Sequence, residues 1–131
     1  MFSKHRRPEE KRGGGLIIGF KEDKEVKLEE LTVEDNDILA LEGMVRGEKV
    51  RIILSYFDSS KSKSDDDFKR NRELQRKVEE LMEVEPEVAL INLGDMNGRL
   101  SKLEPNIVTD ANGKMIEEWT TKLDLYHLNM T

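Results

Sequence analysis

Cysteine is absent from the 131 residues, so the chain has no disulfide framework, no thiolate metal site and no thiol nucleophile. Long apolar runs are missing as well, and none approaches the ~20 residues that a membrane-spanning helix requires. The basic N-terminus is followed by no apolar stretch, unlike a secretory leader. The expectation is an intracellular chain that does not enter a membrane, with the nucleus as one candidate compartment. Apolar residues are scarce too. They make up 36% of the chain against 38% charged, so one core would be thin for this length and its stability marginal. No internal repeat is visible, and no linker divides the chain, so residues 13–131 are expected to form a single domain.

Net charge is −6, which argues against a surface that grips nucleic acid by electrostatics alone. The charge is uneven. Residues 1–12 hold five bases (Lys4, Arg6, Arg7, Lys11, Arg12) and two acids (Glu9, Glu10), so this segment carries +3 and the remainder −9. Such a segment reads first as a solvated, disordered tail, and second as one that could touch phosphates.

Beyond the tail, Leu16 to Phe20 reads as a buried strand led by Gly13-Gly14-Gly15. Val26, Leu28 and Leu31 suggest a weaker strand, and Asp35-Asn36-Asp37 a turn. From Ile38 to Arg46, Ile38, Ala40, Glu42 and Met44 alternate with Leu39, Leu41, Gly43 and Val45. Gly47-Glu48 separates this run from Val50 to Tyr56, and the pair predicts a β-hairpin. A Ser/Lys loop over Ser59 to Ser64 leads to a helix expected from about Asp65 to Val84. Ser64 would cap it, with three aspartates in the first turn where the helix dipole favours anions. Phe68, Leu74, Val78, Leu81 and Met82 form its apolar stripe, and Lys69, Arg70, Arg72, Arg76 and Lys77 its solvated face. Pro86 ends the helical pattern. Val88 to Leu93 predicts a central strand, residues 94–113 a polar loop, Lys114 to Leu123 a second helix, and Leu125 to Met130 a last short strand. Antiparallel hairpin and strand–helix–strand crossover together predict an α/β fold, a mixed sheet with helices on one face.

The chemistry concentrates in Leu93-Gly94-Asp95-Met96-Asn97-Gly98-Arg99. An apolar strand delivers Asp95 and Asn97 at its C-terminal end, and Gly94 lets the backbone approach a ligand closely. A carboxylate there can orient or deprotonate water, and an amide can donate to a phosphate oxygen. A plain turn is the competing explanation, since Gly, Asp and Asn are enriched in turns anyway. Asp-x-Asn-Gly occurs again at Asp110–Gly113, but an EF-hand fails at both places, because Arg99 and Lys114 take the fifth position and Leu100 and Met115 the sixth. Tyr56, at a strand terminus, could satisfy its hydroxyl with water or donate to a phosphate.

Taken in order, these segments resemble the endonuclease/exonuclease/phosphatase superfamily, and most closely the endonucleases of non-LTR retrotransposons, whose domains accompany a reverse transcriptase. Gly13 to Phe20 resembles the family's Gly-Gly-led strand. Ile53-Leu54-Ser55-Tyr56 resembles the strand ending in its active-site tyrosine, and Leu93 to Arg99 is similar to its Gly-Asp-Phe-Asn motif. Thr109 to Lys114, the helix through Trp119, and Leu125 to Asn129 resemble the segment that follows in the retrotransposon enzymes. The resemblance implies a four-layer α-β-β-α sandwich with mixed sheets and a magnesium- or manganese-dependent phosphodiester hydrolase acting on nucleic acid. It assigns Asp95 to the attacking water, and Asn97 and Tyr56 to the scissile phosphate.

Two of the family's parts have no counterpart here. Its metal-binding glutamate lies on an earlier strand, whereas Glu9 and Glu10 are the only upstream candidates and no apolar strand precedes them. Its Asp-His pair lies beyond the last residue of this sequence, and His127 sits outside any such motif. The expectation is therefore the central fragment of such a domain, inactive by itself and prone to self-associate through uncovered sheet edges. A small non-catalytic α/β interaction module remains the alternative.

Overall fold

The computed structural model describes residues 1–5, 15–57, 65–97, 111–123 and Leu125, with only the backbone described for 65–68. Its architecture is mixed α/β, with one two-stranded sheet, one four-stranded sheet and two helices among the described residues. Among the described residues no helix is long and apolar enough to cross a membrane. The chain divides into two compact units, Met1–Tyr56 with Arg72–Gly94, and Phe57–Asn71 with Asp95–Thr131.

The first unit is built on the hairpin. Strand β4 (Ile38–Val45) pairs antiparallel with β5 (Glu48–Tyr56), joined by a two-residue turn at Arg46-Gly47. Both turn residues have positive φ, 51° and 83°. That is the type I′ geometry whose twist matches the flanking strands, and glycine adopts it without steric cost. The turn thus falls one residue earlier than the expected Gly47-Glu48. Strand β3 (Val26–Leu31) pairs antiparallel with the other edge of β4, in register from Val26 opposite Val45 to Leu31 opposite Ala40.

Register sorts the side chains of the hairpin onto two faces, because directly opposed residues share a face. Leu39 opposes Leu54 and Leu41 opposes Ile52. Leu39 and Leu41 are fully buried with Leu16, and Phe2, Ile18, Leu28, Ile52, Leu54 and Tyr56 pack around them. Leu16 and Ile18 come from β2 (Gly15–Ile18), which pairs antiparallel with β1 (Phe2–His5). This small sheet covers one face of the large one. The opposite face carries Ile38, Ala40 and Ile53, all fully buried, and meets α1 (Asp65–Met82). Leu74, Val78 and Met82 are the helix's buried stripe, with Leu81 half-buried. Arg51 of that face donates to the Leu81 carbonyl at 3.0 Å and pairs with Glu42 at 2.8 Å. The Phe68 side chain and the Ser64 cap lie outside the described residues.

Three expectations change here. Residues 2–5 are not part of a disordered tail: they form β1, because Phe2 joins the apolar cluster and Lys4 donates to the carbonyls of Val33 and Ile38 at 2.6 and 2.9 Å. Burial pushes the Lys4 ammonium below its ordinary value, against the opposing pull of Glu30 and Asp35. Residues 6–12 lie outside the described residues. Lys77 does not sit on a purely solvated face, since its ammonium bonds the buried Asp35 carboxylate at 3.1 Å. The strand predicted to be central, β6 (Ala89–Asp95), is the last of the order β3-β4-β5-β6, at an edge among the described residues. Its apolar run reflects one half-buried row, Leu90 and Asn92, with Asn92 donating to the Met82 sulfur at 3.3 Å. The other row, Ile91 and Leu93, is 40% and 42% exposed.

Strand β6 runs in the same direction as β5. Gly94 packs on Ser55 near their C-terminal ends, while Lys49 and Ala89 line one surface depression near their starts. The sheet is therefore mixed, as the hairpin and the crossover through α1 require. Helix α1 ends at Met82, two residues before the expected Val84.

The second unit holds the remaining helix, α2 (Ala111–Lys122). It begins three residues before the expected Lys114, so part of the predicted polar loop is helical. Met115 and Trp119 are buried, and the Trp119 ring meets Phe57 edge-on at a centroid distance of 6.1 Å. Backbone bonds from Leu123 to the Trp119 carbonyl and from Leu125 to the Thr120 carbonyl close the helix end. The expected final strand over Leu125 to Met130 and His127 lie outside the described residues, Leu125 excepted.

Candidate functional site

Gly94 prepares the end of β6. Its φ of 131° is one that side-chain-bearing residues rarely adopt, and a Cβ there would overlap the Ser55 carbonyl oxygen. Glycine is the residue that permits both the turn and this close approach. Asp95 follows as the last residue of the strand and is exposed. Its carbonyl accepts from the Phe57 N–H at 2.9 Å. Its carboxylate Oδ1 accepts from the Asn97 N–H at 2.9 Å, closing a local turn in which Asn97 takes a positive φ of 47°. Asparagine tolerates that conformation better than most residues.

The Asn97 carboxamide donates through Nδ2 to the Phe57 carbonyl in a short hydrogen bond. Phe57 is itself fully buried against Trp119. The segment from Asp95 to Asn97 is thus tied to Phe57 twice, once by backbone and once by side chain. Asp95 and Asn97 lie in one turn at the strand end. One carboxylate oxygen is engaged by the local turn, and one amide hydrogen of Asn97 is used to hold the chain.

Tyr56, the third predicted residue, belongs to the first unit. It ends β5 half-buried in the cluster around Leu16, Leu39 and Leu41, and its N–H donates to the Asp37 carbonyl at 3.0 Å. That carbonyl is presented by a turn in which the buried Asp35 accepts from the Asp37 N–H at 2.9 Å. The aspartates at positions 35 and 37 therefore help to fix the strand end that bears Tyr56.

The residue that sequence reasoning passed over is Asn112. It stands in the first turn of α2, only 5% exposed. Its Nδ2 donates to the Met96 carbonyl at 3.0 Å and, more weakly, to the Asn97 carbonyl at 3.5 Å. Its Oδ1 accepts from Asn71 Nδ2 at 3.3 Å. The signal for it is the repeat of Asp-x-Asn-Gly at Asp110–Gly113, which fails as a calcium loop and assigns no role to Asn112 in the resemblance.

The divalent ion implied by the resemblance is not fitted by the described residues. Among them no three His, Cys, Asp or Glu side chains gather closely enough to hold a metal. Asp95 contributes a single carboxylate, part of whose capacity is spent on its own backbone turn. Glu9 and Glu10 lie outside the described residues. What this arrangement can do without a second acid is orient a water at Asp95, beside a carboxamide whose position is fixed. Comparison of the chain with family models, with curated proteins and with solved structures finds no match.

Proposed function

We propose that this chain is the central part of a phosphodiester-hydrolysing endonuclease domain of the endonuclease/exonuclease/phosphatase type, closest to those of non-LTR retrotransposons, and that it is not a competent catalyst by itself. One observation carries the reading. A strand ends in a glycine of positive φ, followed at once by an exposed carboxylate and, two residues on, by an anchored carboxamide. Both side chains are preorganised by hydrogen bonds, as a site that must present them to a phosphate requires. The mixed sheet and the long helix between the Tyr56 strand and the Asp95 strand agree with the same reading. Nucleic acid is the partner of the complete domain, magnesium or manganese its cofactor, and the nucleus a fitting compartment.

In this reading Asp95 accepts a proton from, or aligns, the attacking water, and the remaining Asn97 amide hydrogen faces a phosphate oxygen. The resemblance assigns Tyr56 to a phosphate as well. The β6 edge, which no strand pairs among the described residues, with Ile91 and Leu93 exposed and no charge between Val88 and Leu93, favours self-association of the isolated chain.

The test is a chimera in which both flanks are restored from a homologous endonuclease. It should cleave DNA with magnesium, while the 131-residue chain should not. Asp95→Asn in the chimera keeps size and removes the base, and is expected to lower the rate by ~100- to 10,000-fold. Full activity in the Asp95→Asn chimera, or metal-dependent cleavage by the purified chain, overturns the reading.

A second reading, a small non-catalytic α/β interaction module, is favoured by one feature. The Asn97 carboxamide is already bonded to the Phe57 carbonyl, as in a turn built only to lock two chain segments. Retained cleavage in both Asp95→Asn and Asn97→Ala chimeras would turn the choice toward it.

A further inference from the structure

We propose that Asn112 is the positioning residue of the Asp95–Asn97 segment: a buried amide on the first turn of α2 that fixes the backbone from which both predicted site residues project. Its functional meaning rests on the endonuclease reading, whereas its geometry does not.

A buried primary amide must satisfy two donors and a carbonyl or forfeit stability. Asn112 does so asymmetrically. Its oxygen faces Asn71, on α1, and its nitrogen faces two consecutive carbonyls, those of Met96 and Asn97. Those carbonyls flank the Cα of Asn97, so holding them fixes the peptide plane before this residue and the carbonyl after it. The backbone of Asn97 is left with little freedom, although its positive φ is one that a free chain would seldom visit. Asp95 is restrained by the same clamp through the bond from the Asn97 N–H to its carboxylate.

The arrangement also accounts for the early start of α2. Asn112 and Gly113 are buried in the first turn of the helix, in a stretch whose composition predicts a loop. The bonds to Met96 and Asn97 reward the helical placement of Asn112. A residue meant only to cap or solubilise a helix start would not direct its amide at two carbonyls 15 and 16 residues away.

The substitution Asn112→Asp keeps the shape and replaces the donor nitrogen by an acceptor facing two carbonyl oxygens. The introduced carboxyl can donate only when protonated. In the full chain, hydrogen exchange at the Asn97 and Phe57 amides should therefore accelerate about tenfold or more at a pH where that carboxyl is ionised, as expected when hydrogen bonds holding one loop are lost. On acidification the exchange, corrected for its intrinsic pH dependence, should return toward that of the unsubstituted chain. Amides of β4 and β5 should not change. A role in α2 packing alone would accelerate the α2 amides as much as the Asn97 amide.

Unaltered exchange at Asn97 and Phe57, or a loss spread evenly over α2 and the loop, overturns the proposal. Should Asn112→Asp not fold, Asn71→Ala carries the test. It removes the donor that orients the Asn112 amide and should speed exchange at Asn97 severalfold, and unchanged exchange there would again overturn it. The two questions stay separate. A loop that loosens as described in a chain whose restored chimera never cleaves would uphold the positioning role and refute the endonuclease reading.

Discussion

The two units of this protein are held together by different physics. In the first, Asp35, Asp37 and Ser55 are buried beside the apolar part of the described interior, which is aliphatic, with Ile38, Leu39, Ala40, Leu41, Ile53, Leu74 and Val78 all fully buried. Their burial follows from alternation along two strands and from helical spacing on α1. In the second, the described interior is three large side chains, Phe57, Met115 and Trp119, and a set of asparagines. Asn71, Asn97 and Asn112 bond one another or backbone carbonyls, and so define where the chain goes. Burying area is non-directional and tolerates small shifts. Hydrogen bonds between amides specify distance and angle. The segment that carries Asp95 and Asn97 is held by such directional contacts between side-chain amides and backbone carbonyls.

The largest effect should come from Phe57→Ala, which empties the centre of the smaller interior and is expected to cost about 3–5 kcal/mol. Trp119 is the sole tryptophan and lies against Phe57, so its fluorescence reports on this unit. The variant should show an early loss of tryptophan signal in urea, while the β4 and β5 amides keep their protection from exchange. Coincident loss of both signals would break the comparison, because the chain would then behave as one cooperative body.

Ile53→Ala is the counterpart in the first unit, with an expected cost of about 3 kcal/mol from lost transfer energy and a residual cavity. Protection of the hairpin amides should fall by this amount. Gly94→Ala comes next, at about 1–3 kcal/mol or more, from a backbone angle that alanine rarely adopts and a methyl directed at the Ser55 carbonyl. Its urea midpoint should drop without a change in slope. A neutral Gly94→Ala would mean that the end of β6 is less constrained than its neighbours indicate.

Asn97→Gly isolates a single directional contact. Glycine accepts the positive φ but cannot bond the Phe57 carbonyl, and the expected cost is about 1 kcal/mol in urea unfolding. A cost near zero would show that this bond merely fills a turn. The smallest effect is expected at Arg76→Ala. Its pair with Glu80 is made by two side chains that are 62% and 63% exposed, one turn apart on α1, and such pairs contribute ~0.3–0.5 kcal/mol. That loss should vanish in high salt. Lys77 differs although it lies only one residue away, because its partner Asp35 is buried, and substitution there should be felt at high salt as well.

Everything governed by periodicity was decided by the sequence. Alternation from Ile38 to Val45 and from Val50 to Tyr56 specifies a hairpin and sorts its faces, because the pleat has a period of two and a slip of one residue would expose the core. The stripe of Leu74, Val78 and Met82 likewise specifies one buried side of α1. Asp95 and Asn97 were legible as a pair because Gly-Asp-x-Asn after an apolar run is a local pattern, complete within five residues. Tertiary structure decided the rest. Whether Val88 to Leu93 is central or at an edge depends on which strands lie beside it, and an apolar run reads alike in both cases. Phe2 and Lys4 become a strand only because β2 and the carbonyls of Val33 and Ile38 are there to receive them. Asn112 acquires its place from carbonyls 15 and 16 residues away and an amide 41 residues away. No local pattern encodes partners at such separations, since a hydrogen bond between distant residues is selected by the folded geometry and not by the propensity of either residue.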